Sequence, residues 1–341
     1  MPRPPKRPST DKRSVESPSG AGSRADSQLA AAALAAFIAV DPLSLRLVAS
    51  ARRIAATDST VLISGESGTG KDLLASLLHY LGPKPQEPLV KIDCASLPHE
   101  LLESELFGFE RGAFTGANQM KRGRLELAGH GTLVLDEIAS LSLAMQAKLL
   151  RVIEDRAFDR LGGTRPIHVH ARIIALTNVD LAAAVAARAF REDLYFRLNV
   201  VPLEVPPLRE RFADVPAIAK HLLRQLSESH RRKSLRLSAE ALAALSDYAF
   251  PGNVRELRNL LERAVVSIPV QDLRETITLE DLPRQVRSVA TGEKAKPTLQ
   301  DLERDYIAEI LDFTRGKKSK AAAILGITRK TLLEKRKKYR L

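Results

Sequence analysis

Thr60-Val-Leu-Ile-Ser64, running directly into Gly65-Glu-Ser-Gly-Thr-Gly-Lys71, is the stretch on which the fold turns. Four of the first five residues, Thr60–Ile63, are apolar or β-branched, the pattern of a short buried strand. The next seven place four residues between two glycines and then a lysine, the P-loop spacing, between a strand and a helix as that motif requires. Glycines are needed because backbone N–H groups must wrap a phosphate closely. Lys71 then adds a point charge at the N-terminus of the following helix. Position 72 is Asp, where the general pattern has a Ser or Thr hydroxyl for Mg2+.

Working outward, Leu89–Asp93, Thr132–Leu135 and Arg172–Leu176 also read as short strands, separated in places by amphipathic stretches such as Leu143–Glu154. That alternation predicts an α/β domain with a mostly parallel sheet flanked by helices. Leu133-Val-Leu-Asp-Glu137 ends one strand in two carboxylates. Beside a P-loop, Asp136 is placed to hold Mg2+ and Glu137 to polarise an attacking water, so the pair argues for nucleoside triphosphate hydrolysis.

After Val205-Pro-Pro-Leu208 the pattern is helical only, over Val215–Ser227, Ser238–Tyr248 and Val254–Val266. The expected organisation is a disordered or short helical N-terminal segment at 1–40, an ATPase core at 41–210 and a helical lid at 211–287. A linker at 288–297 and an all-α C-terminal domain at 298–341 complete it. Residues 1–28, with five prolines and six serines, are expected to be disordered.

The 341 residues are 44% hydrophobic and 28% charged, a globular balance. A lone cysteine, Cys94, excludes a disulfide framework and a Cys-based zinc site and points to a reducing cytoplasm. No apolar run is long enough to span a bilayer, and no membrane partner is expected. The net charge of +12 is concentrated at the ends: +3 in residues 1–28 and +7 in 295–341. A nearly neutral body with a basic tail suggests an appended nucleic-acid-binding module.

Gly112-Ala-Phe-Thr-Gly-Ala117 gives the sequence a specific likeness, supported by Glu103–Gly108, Gln146–Arg151, Leu161–Thr164, Phe190–Leu194, Pro206–Arg211 and Pro251–Leu257. Over about residues 41–341 the chain resembles the AAA+ activators of sigma-54 RNA polymerase, the bacterial enhancer-binding proteins. An acidic residue after the P-loop lysine is common in that family, so Asp72 fits it.

The resemblance implies ATP and Mg2+ as ligands, with Gly65, Glu66, Ser67, Gly68, Thr69, Gly70, Lys71 and Asp72 around the phosphates and Arg255 as a second sensor. It makes Gly112, Ala113, Phe114, Thr115, Gly116 and Ala117 the tip that contacts sigma-54, and Thr177 and Asn178 a γ-phosphate sensor. An apolar tip between glycines is expected not to pack locally. Arg191 and Arg197 match arginine fingers reaching the next subunit's nucleotide, which requires a ring, by resemblance a hexamer. Asp93 stands at a polar switch position that is often Asn in the family, leaving the restraint on Glu137 open. Other departures are His130 for Gly, Phe250 for Trp and Val179 for Arg. His168 and His170, taken to share a strand face, have no third ligand and read as structural.

The last segment resembles a Fis-type helix-turn-helix: a first helix at Lys318–Leu325, a turn at Gly326-Ile327 and a recognition helix at Thr328–Arg340. Thr328, also expected at DNA, can cap the recognition helix, and Arg329, Lys330 and Thr331 stand where base edges are read. Lys335 and Arg336, within Lys335–Lys338, are expected at phosphates, and Lys318 and Lys320 are expected at DNA as well. Leu299–Leu311 is the expected dimer helix. With about 40 residues before the ATPase, too few for a receiver domain, control is expected from a trans-acting regulator, from expression level or from further sequence context. The whole implies an enhancer-bound ATPase ring that remodels the closed sigma-54 polymerase complex. The alternatives are an AAA+ remodeller of another client, or a DNA-binding regulator with an idle ATPase.

Overall fold

The computed structural model describes residues 20–230, 235–268, 274–290, 299–314 and 317–339. The chain forms two compact units, one ending at Pro283 and the other beginning at Arg284.

The first unit is built on five parallel strands: β1 (Val61–Ser64), β2 (Leu89–Asp93), β3 (Thr132–Asp136), β4 (Arg172–Thr177) and β5 (Val201–Glu204), in the order β2-β3-β4-β1-β5. Both faces are covered, so the central strands are apolar throughout rather than alternating. Leu133, Leu135 and Ile173 enter one core with Leu102 and Leu149, whereas Val134 and Ile174 enter the other with Leu47 and Leu74. Strand β5 escaped the sequence reading because Pro202 interrupts it. Pro is tolerated at a sheet edge, where β5 lies.

The flanking helices are α1 (Gly20–Ala36), α2 (Pro42–Ala55), α3 (Lys71–Tyr80), α4 (His99–Phe107), α5 (Leu143–Asp155), α6 (Leu181–Ala186) and α7 (Glu192–Leu198). Their starts follow local chemistry. Asp41 accepts from the Leu43 N–H ahead of α2, with Pro42 at its first position, and Ser142 caps α5 through the Met145 N–H. The three predicted lid helices are present as α8 (Val215–Ser229), α9 (Ala239–Ser246) and α10 (Asn253–Ser267). Their shared interior includes Leu222, Leu226, Leu245, Leu257 and Leu261, all buried.

Two expectations change at the N-terminus. Helix α1 begins at Gly20, inside the stretch expected to be disordered; residues 1–19 lie outside the described residues. Ala33 and Phe37 are buried in the same core as Leu74 and Ile174, so the α/β domain begins before residue 41. Ala-rich sequence hid this, because alanine carries little hydrophobic signal yet lets a helix approach closely.

In the second unit α11 (Arg284–Ala290) takes in the first three residues of the expected linker, and 291–298 lie outside the described residues. Helices α12 (Leu299–Phe313), α13 (Lys318–Ile324) and α14 (Arg329–Tyr339) enclose a small core of Ile307, Ile310, Ala321, Ala322 and Leu332. The turn between α13 and α14 passes through Gly326 at φ 65°, and Thr328 accepts from the Thr331 N–H at 3.1 Å. Arg340, the expected end of the recognition helix, is outside the described residues.

Candidate nucleotide site and loop

Open parallel sheets bind ligands beyond the carboxyl ends of their strands. There a cleft of about 500 Å³ is lined by Ser67, Gly68, Thr69, Gly70, Lys71, Asp72, Asp136, Glu137 and Arg255. Sequence positions far apart are thus brought together as expected. Lys71 is buried and donates to the carbonyls of Gly65 at 2.8 Å and Glu66 at 3.0 Å. Burial lowers its pKa, opposed by the charges of Glu137, Asp136 and Asp72. Asp136 accepts from the Glu137 N–H at 3.0 Å. Glu137 sits in the left-handed region at φ 51°, and burial followed by the Asp136 charge raises its pKa above the usual carboxylate range. A carboxylate so raised is the better proton acceptor.

The lid clasps the P-loop from the far side. Asn253, at φ 53° and fully buried, donates to Glu66 at 3.0 Å and to the Ser67 carbonyl at 3.1 Å, and its own oxygen accepts from the Leu208 N–H at 2.7 Å. The Val254 N–H donates to the Gly68 carbonyl at 3.0 Å, and Arg255 reaches the Ser67 hydroxyl at 2.6 Å. Arg209 makes a two-pronged pair with Glu66, which, with Asn253, holds that carboxyl down to about 2. Phe250 precedes this turn at φ 47°, fully buried and edge-on to Tyr248. Strain gathered at one turn marks a functional site.

Several cleft residues went unread in the sequence: Phe37 and Ile38 after α1, Ile218 and Leu222 on α8, and Arg211 and Arg258. Ile218 and Leu222, four apart on one helix, were legible only as a core stripe. Asp214, fully buried, accepts from the N–H groups of Val40 at 2.6 Å and Asp41 at 2.7 Å, tying the lid's first turn to the segment that carries Phe37.

Other expected site residues do not line the cleft. Asp93 accepts from the Ala95 N–H at 2.9 Å, and Thr177 caps its strand by accepting from the Val179 N–H at 3.0 Å; Asn178 is exposed. Arg191 pairs with Asp193 at 2.7 Å and Arg197 with Glu154 at 2.9 Å, both near the surface. His168 ends the strand Ile167–His168, so it does not share a strand with His170, whose ring instead stacks on His130 at 4.7 Å. Among the described residues no cluster of three or more His, Cys, Asp or Glu is arranged to hold a metal. The oxygen donors Asp136 and Asp72 suit Mg2+, which commonly takes one or two carboxylates together with substrate phosphates.

The loop Gly112–Ala117 closes on itself through the Gly112 N–H to the Ala117 carbonyl at 2.8 Å. Phe114 is 47% exposed but not unpartnered, correcting the expectation for an unpacked tip: its ring meets that of Phe109 edge-on at 4.9 Å. At the loop's base Arg160 joins Glu110 at 2.6 Å and Glu126 at 2.7 Å, and the Glu110 N–H donates to the Leu161 carbonyl at 3.0 Å. In the second unit Lys335 pairs with Glu303, which also accepts from Tyr339 at 2.6 Å, so part of the expected DNA-facing charge is spent within the fold. That spacing, Glu303 to Lys335, is invisible to local sequence reading.

Three families match in series: the sigma-54 interaction domain over residues 37–204, the AAA+ ATPase lid domain over 209–299, and the Fis family of bacterial regulatory proteins over 298–339. The transcriptional regulatory protein ZraR of Salmonella typhimurium is 44% identical over 309 residues, covering 90% of this chain and 69% of its own. The chain belongs to the sigma-54-interacting AAA+ regulators. Regulatory protein AtoC of Escherichia coli is 43% identical over 311 residues, 87% of this chain and 66% of that protein. The chain therefore spans about two thirds of the length of these relatives. NtrX from Brucella abortus, solved in complex with ATP, superposes with a TM-score of 0.67 at 32% identity, covering 89% of this chain and 69% of that one. Family membership accounts for the parallel sheet, the lid and the C-terminal helical unit together. Among the described residues no helix is long and apolar enough to cross a membrane.

Proposed function

We propose that the protein is a cytoplasmic sigma-54-dependent transcription activator that hydrolyses ATP. The observation that carries this reading is the convergence of Lys71, Asp136, Glu137 and Arg255 on one cleft in a chain that also carries Gly112–Ala117 and a helix-turn-helix. In hydrolysis a water attacks the γ-phosphorus and the bond to the ADP oxygen breaks, while Glu137 takes the water's proton. The P-loop N–H groups and Lys71 stabilise charge on the phosphates. Arg255 orients the phosphates from the lid, and Phe37, Ile38, Ile218 and Leu222 offer the apolar wall that a nucleobase needs. Bound Mg2+, held by Asp136, would neutralise phosphate charge.

Arg191 and Arg197 act on the nucleotide of a neighbouring subunit in a ring, leaving the local pairs with Asp193 and Glu154 when the ring forms. Thr177 and Asn178 sense the γ-phosphate. The loop Gly112–Ala117 transmits nucleotide state to sigma-54, with Phe114 and Thr115 at its tip. Lys318, Lys320, Thr328, Arg329, Lys330, Thr331 and Arg336 face enhancer DNA, and α12 supports dimerisation.

Open-complex formation with sigma-54 polymerase, ATP and an enhancer-bearing promoter tests this directly. Thr115→Ala is expected to retain ATP hydrolysis and DNA binding and to lose promoter opening. Normal opening by that variant would remove the loop from the mechanism. Hydrolysis recovered on mixing Arg191→Ala with Glu137→Ala subunits is the expected sign of fingers acting in trans.

A further inference from the structure

Lys91 lies on β2, an edge strand, paired in register with Val134 of β3. Its ammonium contacts the Asp136 carboxylate at 2.9 Å and also hydrogen-bonds the carboxylate of Asp72, in the first turn of α3. One side chain therefore bridges two acids from two elements at the rim of the phosphate side of the cleft. Lys71 is turned the other way, onto the carbonyls of Gly65 and Glu66. Partial burial works against the charge on Lys91. Its hydrogen bonds to Asp72 and Asp136 and their charges outweigh that effect and hold the ammonium above the ordinary lysine value.

We propose that Lys91 is the resident counter-ion of the nucleotide-free site: it neutralises Asp72 and Asp136, so that a polyphosphate can enter the cleft before, or without, a divalent metal. The proposal rests on the cleft being an ATP site. Two uncompensated carboxylates near the entering phosphates would repel them, and at the separations of a single site each unit charge alters affinity by about an order of magnitude. When Mg2+ arrives with the nucleotide it neutralises the same acids, and Lys91 becomes dispensable for binding. Lys91 is thus a positioning and charge-balancing residue rather than a catalytic one.

The test is the affinity of a fluorescent ATP analogue for the full chain, measured in EDTA and in excess Mg2+. Wild type, Lys91→Met, Lys91→Gln and Lys91→Arg are compared. The neutral variants are expected to bind about tenfold more weakly than wild type in EDTA and within about threefold of it in Mg2+, with Lys91→Arg close to wild type in both. Nucleotide-free Lys91→Met should also gain thermal stability on adding Mg2+ where wild type does not. Position 91 is 42% exposed on an edge strand, and the two neutral variants guard against one failing to fold. An unchanged ratio of the EDTA and Mg2+ affinities, or an equal loss in both, overturns the role of Lys91. Failure of wild type to bind with Mg2+ present overturns the reading of the cleft itself, and the proposal with it.

Discussion

Two glycine-bounded loops sit in the same domain, and they use their glycines for opposite purposes. In residues 65–71, β-carbons at Gly65 and Gly68 would fall 2.7 Å from the Val205 carbonyl and 2.5 Å from the Gly252 carbonyl, so glycine there permits backbone to abut backbone. In residues 112–117, β-carbons at Gly112 and Gly116 would meet nothing within 4 Å; only their positive φ, 84° and 101°, calls for glycine. The first loop is clasped by Asn253, Val254, Arg209 and Arg255, while the second is anchored at its base, lies against Gly162 through Ala113, and leaves Phe114 at its tip half exposed beside Phe109. A site that holds a charged ligand must be preorganised. A surface that changes partners with nucleotide state needs a shape that little packing fixes. Composition alone makes the two loops look alike.

The largest expected effect lies at the clasped loop. Glu137→Gln should leave binding of an ATP analogue intact and lower turnover by roughly 10²–10⁴-fold, the usual contribution of a general base. Because burial and Asp136 raise the Glu137 pKa, the acid limb of the turnover–pH profile should lie above that of an ordinary glutamate; a limb at the ordinary position would remove Glu137 from that role.

Gly68→Ala against Gly116→Ala breaks the comparison next. The first meets backbone as well as adverse φ and should weaken nucleotide binding by about 100-fold with a lowered melting temperature. The second meets only adverse φ, a cost of order 1–3 kcal/mol in loop strain, and should leave nucleotide affinity within about twofold. Equal losses at the two positions would show that φ alone matters in both.

Much of this was legible in the sequence, for a physical reason. Phosphate chemistry concentrates its groups in short runs, so Gly65–Lys71 and Asp136-Glu137 could be read locally, as could four strands of the five-stranded sheet and the lid helices. What stayed hidden was assembled across the chain. Phe37 and Ile38 count only because α1 lies on α3, and Lys91 only because β2 lies beside β3. Strand β5 was masked by Pro202, and the start of α1 by a mix of Ser, Gly and charge that reads as disordered, while its Ala-rich second half gave no sign of packing on the core. The pairs Arg191–Asp193 and Arg197–Glu154 show the reverse limit: residues expected at a neighbour's nucleotide make local ion pairs in a single chain.

The half-exposed loop yields a smaller effect. Phe109→Ala removes the edge-on partner of Phe114, a contact worth about 0.5–1.5 kcal/mol, and should not alter hydrolysis. The chain has no tryptophan, so Phe114→Trp gives a single fluorescent reporter at the tip. Its emission should shift to longer wavelength when Phe109→Ala is added. An unshifted spectrum would mean that the tip has another resting place.

The smallest effect concerns charge in the clasp itself. Glu66 has a carboxyl held down to about 2, first by its hydrogen bond from Arg209 and then by Asn253. A carboxyl lowered in the folded state adds stability that is complete above its unfolded value of 4.5 and is lost as pH falls from there towards 2. Both partners are 43% exposed, so solvent screening keeps the contribution small. The Arg209→Met variant releases Glu66 towards the ordinary value. Its melting temperature should therefore fall less steeply than that of wild type between about pH 4.5 and pH 3, with the two proteins differing by a degree or two at pH 6. Direct titration of the Glu66 side-chain carboxyl by NMR separates this from changes elsewhere. A wild-type midpoint near 4.5 would mean that Arg209 supplies shape to the clasp rather than charge. The difference between the two loops would then rest on backbone packing and Asn253 alone.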